Sequence, residues 1–491
     1  MNTIYLITGV LVALLHVAIM LHIVYTKHES SDEATMWLLL VAVMPGLGIL
    51  LYLFFGVTNL HGINDRIRDI SIAEQARGHN IPEAEAQWRS LSAYMPPPDE
   101  VNHPVNSTLD RIFPARPALG GNKLELLCDG VQAYPRMLAD IKKAKKSIRL
   151  ESFIINSDKA GTAFLEALMK KADEGVDVKV LFDSFGSFFS IFSHLFRRLM
   201  RHRHPHFAMI GFSPINLLTP WKFQLRNHRK LLIVDGKVAY CGGINISDEN
   251  RRYRKVPRTK YIHDLHCRIE GPAAAIATRS FLRDWAYTRR RHRADAAVTG
   301  DYPPMDSHGN NVVRLIDSGP GENYRGSERM FFAAAALAQK SLYIITPYFV
   351  PGNAFAQALI LAAARGVDVR VVVPARNNHK FVDWASRSFY ATLLSGGVRI
   401  FVRNGFFSHT KALLVDNSWG FMGSSNCDNR SFRLNFELDF CFEGGDFIAQ
   451  IACQFASEFA ESTELQFADE LKKHPLRTFR DDLFALLAPI L

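Results

Sequence analysis

The chain has 491 residues, and its 58 lysines and arginines outnumber its 48 aspartates and glutamates to give a formal net charge of +10. This length allows about two or three domains. The positive charge points to an anionic partner, either nucleic acid or acidic lipid. The six cysteines include no CxxC pair, which argues against a disulfide framework and predicts neither a metal centre nor a cofactor.

Two apolar stretches open the chain. Residues 4–25 and 36–57 contain no Asp, Glu, Lys or Arg, and about 20 such residues are enough to cross a bilayer as a helix. A signal peptide is disfavoured because Met1-Asn2-Thr3 carries no positively charged side chain. The sequence therefore predicts a transmembrane helical hairpin over residues 1–60, although Pro45 interrupts its second span.

Charged residues around this hairpin predict its orientation. The loop between the spans is mostly acidic, whereas Arg66, Arg68 and Arg77 follow the second span. By the positive-inside bias, both chain ends should face the cytoplasm. Residues 61–119 are then predicted to form an amphipathic stretch and a proline-rich linker ahead of the first half of a repeat.

The repeat is centred on a motif that occurs twice. His228-Arg229-Lys230 is followed by four apolar residues and Asp235, and His409-Thr410-Lys411 is followed by four apolar residues and Asp416. At the same distance beyond each histidine, small residues lead to an asparagine, Asn245 in the first copy and Asn426 in the second. Two HxKxxxxD motifs with matching continuations do not arise by chance, and their histidines and lysines suit phosphoryl chemistry.

The same elements are predicted upstream of both motifs. An apolar strand, an alanine- and leucine-rich helix and a strand after a Gly-Val-Asp turn lie at 146–153, 163–174 and 175–180 in the first half and at 340–347, 353–364 and 366–371 in the second. This alternation predicts an α/β fold of two repeats with mixed β-sheets flanked by helices. We assign residues 120–295 and 310–445 to the two halves and 446–491 to a C-terminal helical segment.

The segment 185–204 combines aromatic with basic side chains. It suits a membrane interface, with its apolar side in the acyl boundary and its basic side among phosphates. An ordinary core helix with a solvated basic end remains open as the alternative. The side chains expected to dock on lipid are Phe188, Phe189, Phe192, Phe196, Arg197, Arg198, Arg201 and Arg203.

The spacing within each motif assigns different roles to its residues. Alternate residues of a strand share a face, so the histidine and lysine of each motif project together. The aspartate lies an odd seven residues from the histidine, which puts it on the opposite face and about 20 Å away. Asp235 and Asp416 are therefore predicted in hairpin turns, where a structural role is expected.

Each histidine needs a carboxylate to fix its tautomer and orientation. We pair Asp264 with His228 and Glu437 with His409, because each carboxylate follows in a later strand of the same half. The asparagine of each half is expected to donate hydrogen bonds to non-bridging phosphate oxygens.

The two HxKxxxxD motifs, each followed by small residues and an asparagine, resemble the signature of the phospholipase D superfamily over residues 120–445. The N-terminal spans, the sequence 227–230, the segment 429–435 and the C-terminal 486–491 are similar to bacterial cardiolipin synthases of that superfamily. In that family every member of the motif counts as an active-site residue. The resemblance thus makes candidates of His228, Lys230, Asp235, His409, Lys411 and Asp416.

The resemblance implies a multi-pass enzyme of the bacterial inner membrane with a cytoplasmic catalytic domain. Such an enzyme joins two phosphatidylglycerol molecules into cardiolipin and releases glycerol. One histidine attacks phosphorus to form a phosphatidyl-histidine, and the other exchanges protons with the leaving and entering hydroxyls. Family analogy favours His228 as the nucleophile, while the near-symmetry of the motifs leaves His409 open. Lysines and asparagines stabilise the phosphoryl oxygens, so no metal is expected.

Two other interpretations stay open. A membrane-anchored phosphodiesterase would hydrolyse phospholipid or nucleic acid with the same motifs, and a silent binding protein would keep only the fold. Intact histidines and lysines in both halves argue against the silent protein. The hairpin and the segment 185–204 favour lipid, so the expected partners are phosphatidylglycerol and an anionic membrane surface, with no nucleic acid. No motif distinguishes water from an alcohol as the acceptor.

Overall fold

A computed structural model of the chain describes residues 2–28, 30–57, 91–96, 103–201, 204–213, 224–251, 261–289, 306–320 and 323–488. Most of the predicted amphipathic and linker segment lies outside these residues. So do the three arginines that predicted the orientation of the hairpin, and Arg203 of the segment 185–204.

Along the chain, most helices of the two halves alternate with strands, as the repeat predicts. In chain order they are α1 (Asn2–Lys27), α2 (Ser31–Val43), α3 (Pro45–Leu51), α4 (Pro104–Ile112), α5 (Asp129–Lys143), α6 (Lys159–Asp173), α7 (Phe188–Ile191), α8 (His194–Arg201), α9 (Ala273–Arg289), α10 (Gly326–Leu337), α11 (Gly352–Ala364), α12 (Lys380–Ser388), α13 (Tyr390–Ser395), α14 (Asn429–Arg433), α15 (Phe447–Ala460), α16 (Phe467–Leu471) and α17 (Pro475–Ala485). A π-helical turn follows α3 at Tyr52–Gly56.

The strands are short and mostly buried. They are β1 (Leu119–Cys128), β2 (Ser147–Ser152), β3 (Asp177–Asp183), β4 (Phe207–Phe212), β5 (Lys230–Val234), β6 (Val238–Gly242), β7 (Ile262–His263), β8 (Leu265–Glu270), β9 (Asn311–Ser318), β10 (Ser341–Ile345), β11 (Phe349–Val350), β12 (Asp368–Pro374), β13 (Arg399–Arg403), β14 (Phe407–Ser408), β15 (Ala412–Val415), β16 (Trp419–Gly423), β17 (Cys427–Asp428), β18 (Glu437–Glu443) and β19 (Ser462–Glu464).

Fifteen of these strands form one mixed sheet that runs through both halves. Its order is β19-β13-β12-β10-β15-β16-β18-β9-β1-β8-β6-β5-β2-β3-β4. Reading outwards from the central pair β9 and β1, the two halves repeat the same strand order, apart from the extra edge strand β19. The predicted α/β fold of two repeats is confirmed, and the two mixed sheets are joined where β1 pairs with β9.

Alternation along the strands sends side chains to opposite faces of this sheet, which helices cover on both sides. Leu231 and Ile233 of β5 pack in one core with the alanine-rich α9, while Leu232 and Val234 pack in another with α5 and α6. The corresponding core of the second half contains α10 and α11. The helices α9 and α15 share the face that spans both halves. Because helices cover both faces of the sheet, the motifs lie at the ends of strands, near the junction of the two halves.

The first predicted span is present as α1. Residues Tyr5–Lys27 are long enough to cross a membrane, and their most apolar window of 18 residues has a mean hydropathy of 2.4 and is only 6% buried against the protein. Among the described residues, α1 is the one helix that meets these criteria.

The second predicted span is wrong as a single helix. Its first part, α2, ends before Met44, whose φ of −124° and ψ of 71° lie outside the helical region. A residue that precedes proline is disfavoured in helical geometry, because the proline ring meets its backbone. Pro45 therefore ends α2 and begins α3.

Helix α3 then turns back alongside α2. A Cβ added to Gly48 would lie 2.8 Å from the Cα of Val41, and one added to Gly56 would lie 2.9 Å from the Trp37 side chain. Trp37 and Gly56 would be about 28 Å apart along a continuous helix, at 1.5 Å per residue. Residues 31–57 thus form a short helical hairpin whose tip is at Met44 and Pro45.

Both ends of this hairpin contact the α/β domain. Arg433 of α14 forms an ion pair with Glu33 near the start of α2, with 2.9 Å between Nη1 and Oε2. Glu33 also pairs with Lys27 at the end of α1. At the other end, the side-chain amide of Gln224 donates a hydrogen bond to the carbonyl of Phe55. The loop after α1 therefore lies on the same side as the α/β domain.

The segment 185–204 divides into exposed and buried parts. Phe188, Phe189 and Phe192 are exposed, and the ring of Phe188 contacts the other two edge-to-face. Phe196 is fully buried, with its ring centroid 5.0 Å from that of Phe182 in the core. The prediction that Phe196 docks on lipid is therefore wrong, because the amphipathic helix α8 turns it towards the sheet.

Candidate active site

Each HxK motif is held by backbone hydrogen bonds to the other half of the molecule. The amide of His228 donates to the carbonyl of Phe436 at 2.9 Å, next to β18. In the equivalent place, the amide of His409 donates to the carbonyl of His263 at 2.7 Å, and β14 pairs in parallel with β7. The two motifs therefore meet at the junction of the halves, close to the centre of the sheet.

The carboxylate partners are exchanged between the halves. Nδ1 of His228 lies 3.0 Å from a carboxylate oxygen of Glu437. Nδ1 of His409 lies 2.7 Å from a carboxylate oxygen of Asp264. The predicted pairing of each histidine with the carboxylate of its own half is therefore wrong, although all four side chains belong to one site.

Strand order gives the physical reason for this exchange. Within a half, β6 separates β5 from β8, so the beginning of β8 does not lie beside the motif of its own half. Asp264 directly precedes β8, and Glu437 begins β18. The segments before these strands instead pair with the motif of the opposite half, which brings each carboxylate to the opposite histidine.

Each carboxylate also accepts hydrogen bonds from residues other than its histidine. Glu437 accepts hydrogen bonds from the hydroxyl of Ser424 and from the side-chain amide of Asn435. Asp264 accepts one from the amide of Leu265 at 2.8 Å. Gly243 is required beside it, because a Cβ at that position would lie 2.1 Å from the Asp264 carboxylate. The small residues after the two motifs thus accommodate the site carboxylates, Gly243 by its lack of a side chain beside Asp264 and Ser424 by a hydrogen bond to Glu437.

Burial keeps both histidines neutral in the ligand-free site. Burial, followed by the positive charges of Lys230 and Lys411, holds the pKa of His228 well below its ordinary value. Burial and Lys411 lower the pKa of His409 to about 3, although Asp264 acts in the opposite direction. Because a carboxylate can only accept, Nδ1 of each ring carries the proton and Nε2 has a lone pair for chemistry.

The two lysines are buried beside these rings. Burial and the positive charge of Lys411 lower the pKa of Lys230 to about 7. Burial lowers the pKa of Lys411 to about 8, and its ammonium lies 3.0 Å from Nε2 of His409. A phosphodiester anion between the two lysines would favour their charged forms and would also raise the pKa of both histidines.

The carboxylates respond differently to burial. Burial raises the pKa of Glu437 despite the opposing charge of Lys230. Burial also acts to raise the pKa of Asp264, but Lys411 and the hydrogen bond from His409 outweigh it, and the pKa is lowered. Of the two carboxylates, Asp264 therefore holds its negative charge more firmly.

The predicted asparagines lie in the same region. Both are buried, and the side-chain oxygen of Asn245 accepts a hydrogen bond from the amide of Ile154 at 3.3 Å. This bond leaves the NH2 group of Asn245 as a donor. The side-chain oxygen of Asn426 has no hydrogen-bond partner among the described residues. Both amides are available to a bound ligand.

Three site residues were not found by sequence reasoning. The rings of Phe153 and Tyr348 contact His228 and His409 edge-to-face, with centroids 5.1 Å and 6.1 Å apart. Phe153 directly follows β2 and Tyr348 lies three residues after β10, so an aromatic ring just beyond the corresponding strand of each repeat is a signal that could have identified them. Arg229, between the motif's histidine and lysine, donates from Nε to the carbonyl of Glu437 at 2.9 Å and so fixes the partner strand.

The structure places the aspartates of the two motifs in the turns that follow β5 and β15. Both have a φ of +52°. Asp235 accepts hydrogen bonds from the amides of Lys145, Lys146 and Ser147, and Asp416 accepts them from the amides of Gln339, Lys340 and Ser341. Each carboxylate thus secures the start of the neighbouring strand, away from the histidines. No group of His, Cys, Asp and Glu side chains in the described part of the chain is arranged to hold a metal ion.

The first prediction concerns these turns. We expect Asp235→Asn to lower the free energy of unfolding by about 1–3 kcal/mol, because an amide cannot accept three backbone hydrogen bonds as a carboxylate does. Folded Asp235→Asn protein should keep its turnover. The matched control is Asp482→Asn, which changes an exposed carboxylate. Loss of turnover in a protein of normal stability would show that Asp235 acts in the chemistry.

The second prediction tests the exchanged pairs by double-mutant cycles on the free energy of unfolding. His228→Ala and Glu437→Ala should show an interaction energy of about 1–3 kcal/mol, since they remove one buried hydrogen bond. His228→Ala and Asp264→Ala should be nearly additive. In the cycles with His409→Ala, Asp264→Ala should show the interaction energy and Glu437→Ala should be nearly additive. Coupling within each half, and none between halves, would contradict the geometry.

The sequence is similar to known families and proteins over nearly its whole length. The family described as cardiolipin synthase, PLD-like domain, matches residues 137–285 and 332–459, and the phospholipase D-nuclease N-terminal family matches residues 10–56. The major cardiolipin synthase ClsA of Bacillus subtilis (strain 168) is 29% identical, with 97% of this chain and 98% of that protein covered. Cardiolipin synthase 1 of Bacillus anthracis is 30% identical, with 100% and 95% covered.

Among solved structures, phosphatidylserine synthase of Haemophilus influenzae Rd KW20 shares the fold. It aligns with a TM-score of 0.58 at 16% identity, over 79% of this chain and all of that chain. The predicted resemblance is confirmed by the family matches and by relatives that cover nearly the whole length. The chain therefore belongs to the cardiolipin synthase family of enzymes within the phospholipase D superfamily.

Proposed function

We propose that this enzyme joins two phosphatidylglycerol molecules into cardiolipin and glycerol through a phosphatidyl-histidine intermediate. The main support is the pair of buried imidazoles, each held at Nδ1 by a carboxylate of the opposite half. Two equivalent imidazoles are what a two-step exchange at one phosphorus requires, since one forms the covalent bond and the other moves protons.

In the first step, Nε2 of His228 attacks the phosphorus of one phosphatidylglycerol. The bond from phosphorus to the glycerol oxygen breaks, and that oxygen takes a proton from Nε2 of protonated His409. Glycerol leaves, and the phosphatidyl group is bonded to His228. Lys230 and Lys411 stabilise the charge on the phosphoryl oxygens, and the amides of the two asparagines donate to the same oxygens.

In the second step, neutral His409 accepts the proton of the terminal hydroxyl of a second phosphatidylglycerol. The resulting oxygen nucleophile attacks phosphorus from the side that glycerol left, and the bond from phosphorus to His228 breaks. Cardiolipin then leaves with His228 neutral, and the proton on His409 passes to water until the next phosphodiester anion binds. Two displacements at one centre give overall retention at phosphorus.

The two carboxylates support the choice of His228 as nucleophile. His409 must be protonated at the start, and its partner Asp264 has a lowered pKa and remains anionic. The partner of His228 is Glu437, whose pKa is raised by burial. Because substrate brings one negative charge, its binding raises the pKa of His409 from about 3 towards the working range.

A lipid is favoured over nucleic acid by what surrounds the site. Arg226, two residues before His228, lies over the ring of Phe185 at 5.4 Å from its centroid. Phe185 leads into α7, which carries the exposed rings of Phe188, Phe189 and Phe192. Gln224 in the same segment contacts Phe55 of the N-terminal hairpin. Exposed aromatic rings and membrane-associated helices thus adjoin the approach to the nucleophile.

The enzyme is a membrane protein, and we propose that α1 crosses the inner membrane once with the catalytic domain in the cytoplasm. The α2–α3 hairpin enters the bilayer from the cytoplasmic side and returns. From Glu33 to Val43, α2 rises about 15 Å, half the thickness of the hydrocarbon core. Lys27 in the last turn of α1 fits a cytoplasmic location for that end of the helix and an N-terminus on the outer side.

The proposed reaction is tested with labelled phosphatidylglycerol and the full chain in lipid nanodiscs. We expect cardiolipin and glycerol as products of the native enzyme, and His228→Ala or His409→Ala should each reduce turnover about 1,000-fold or more, because the two residues act as a unit. His206→Ala, which changes an exposed histidine, is the control. Phosphatidic acid with glycerol would instead identify a hydrolase.

Intermediate trapping separates the two histidines. Prolonged incubation with labelled lipid and quenching in alkaline denaturant, which preserves a histidine phosphorus–nitrogen bond, should leave label on the chain in His409→Ala, where the intermediate forms slowly and has no base to resolve it, but none in His228→Ala. The reverse pattern would make His409 the nucleophile. No covalent label in either active-site variant or in the native enzyme would contradict the two-step route.

The topology is tested by labelling single added cysteines with a membrane-impermeant maleimide. Asn2→Cys should react in intact spheroplasts, whereas His28→Cys should react only after permeabilisation. If residues 36–57 cross the membrane as a second full span, His28→Cys should react in intact spheroplasts and Asn2→Cys only after permeabilisation. The two arrangements are therefore distinguished by either variant alone, and the native chain serves as the background control.

A further inference from the structure

The C-terminal helix α17 has two apolar faces, and only one of them is covered. On the inner face, Phe484 packs against Phe381 and Trp384 of α12, with ring centroids 4.9 Å and 4.8 Å apart. Asp481 is also buried on this face. The outer face presents large apolar side chains whose exposed fractions are 72% for Leu476, 66% for Phe479, 49% for Leu483 and 63% for Leu486.

The spacing of these four residues makes them one continuous stripe. Intervals of three, four and three residues place side chains on the same side of an α-helix. Single exposed apolar residues are ordinary on protein surfaces, but a contiguous stripe of this kind marks a contact with another apolar phase. Because the inner face already anchors α17 to α12, the stripe is not needed for folding of the helix.

The position of α17 indicates that the apolar phase in contact with the stripe is the bilayer. Its C-terminal end is tied to α14, where the side-chain amide of Asn429 donates to the carbonyl of Ala488 at 2.9 Å. Arg433, at the other end of α14, forms the ion pair with Glu33 at the base of the membrane hairpin. These two attachment points are separated by about 6 Å of helical rise. The end of the stripe thus lies beside the segment that enters the bilayer.

The basic residues near the stripe lie towards its N-terminal end. Residues 472–480 contain Lys472, Lys473, Arg477 and Arg480, and the acidic residues Asp469, Glu470, Asp481 and Asp482 flank them, with Lys473 paired to Glu470 and Arg480 paired to Asp481. Lys472 and Arg477 are exposed. Basic side chains beside an exposed apolar face are the pattern of helices that lie in the head-group region, with their apolar side about 5–10 Å deep.

We propose that the outer face of α17 lies in the lipid interface of an anionic membrane and forms a second attachment beside the α2–α3 hairpin. The partner is a bilayer surface that contains acidic phospholipid. This inference uses the membrane anchoring in the proposed function but not the reaction itself. Residues 426–433 connect the site with both attachments, so the helix would hold the entrance of the active site against the membrane.

Lipid contact is measured directly with a fluorophore. A label on Phe479→Cys, in a Cys453→Ser background that removes the exposed natural thiol, is compared with a label on Val131→Cys, an exposed apolar position on α5. The full chain is placed in nanodiscs of phosphatidylcholine with or without phosphatidylglycerol. Nitroxide-labelled lipid should quench the label at 479 about fivefold more than the label at 131, and more strongly with phosphatidylglycerol present.

Two outcomes would overturn the proposal. A label at 479 that iodide quenches as readily as the control, and lipid nitroxide does not, lies in water. A label shielded from both quenchers lies in a protein interface, either with a second copy or with another part of the chain. Neither readout depends on turnover, so a failure here is distinct from a failure of the proposed reaction.

A matched activity measurement supports or opposes the same conclusion. Changing Leu476, Phe479, Leu483 and Leu486 to serine should reduce turnover in phosphatidylglycerol vesicles about tenfold, with turnover of short-chain monomeric substrate and the midpoint of unfolding unchanged. The control changes Val131 and Leu361, exposed apolar residues of α5 and α11, to serine. Equal loss on both substrates in a folded protein would show that α17 acts on the site and not on the membrane.

Discussion

The structure depends on the exchange of carboxylates between its two halves. A buried imidazole without a partner at Nδ1 would lack a fixed tautomer, and a buried carboxylate without a donor would carry the cost of its own desolvation. Neither half can satisfy these requirements alone, because His228 uses Glu437 and His409 uses Asp264. The junction between β1 and β9 and the hydrogen bonds around Phe436 and His263 hold these partners in register.

Burial of the site also makes the charge of its lysines and histidines sensitive to a bound anion. Two lysines with pKa values lowered to about 7 and 8 lie beside two neutral histidines, so in the empty site the two carboxylates balance the positive charge of the lysines. A phosphodiester anion changes this condition at once, since it stabilises the ammonium groups and an imidazolium together. In the proposed mechanism, His409 thereby becomes a general acid only when substrate is bound, and the free enzyme does not need to hold a proton on a buried imidazole.

The sequence predicted the parts of this molecule that depend on local periodicity. The HxK spacing put histidine and lysine on one face, and its odd continuation put Asp235 and Asp416 into turns, where the structure has them. The repeated order of strands and helices likewise followed from alternation. These inferences use only distances along one strand or one helix, which the sequence specifies directly.

Other features depend on which segments meet in space. The pairing of Asp264 with His409 follows from strand order across two halves, and no spacing within one half encodes it. Arg229 was overlooked because an odd position in a motif gives no indication of a contact with a distant carbonyl. The second apolar stretch was taken for a full span because hydropathy records composition and not direction. Only the packing of Gly48 on α2 and of Gly56 on Trp37 reveals the reversal.

The exchange of carboxylates also carries a historical consequence. It has the symmetry of a pair of identical subunits, each lending its carboxylate to the other's histidine, and a fused duplication of one gene would preserve that symmetry. After fusion, the two copies are free to diverge. They have done so here, where Asp264 faces Gly243 while Glu437 accepts from Ser424. A chain that began with two interchangeable histidines could in this way acquire one suited to covalent chemistry and one suited to proton transfer.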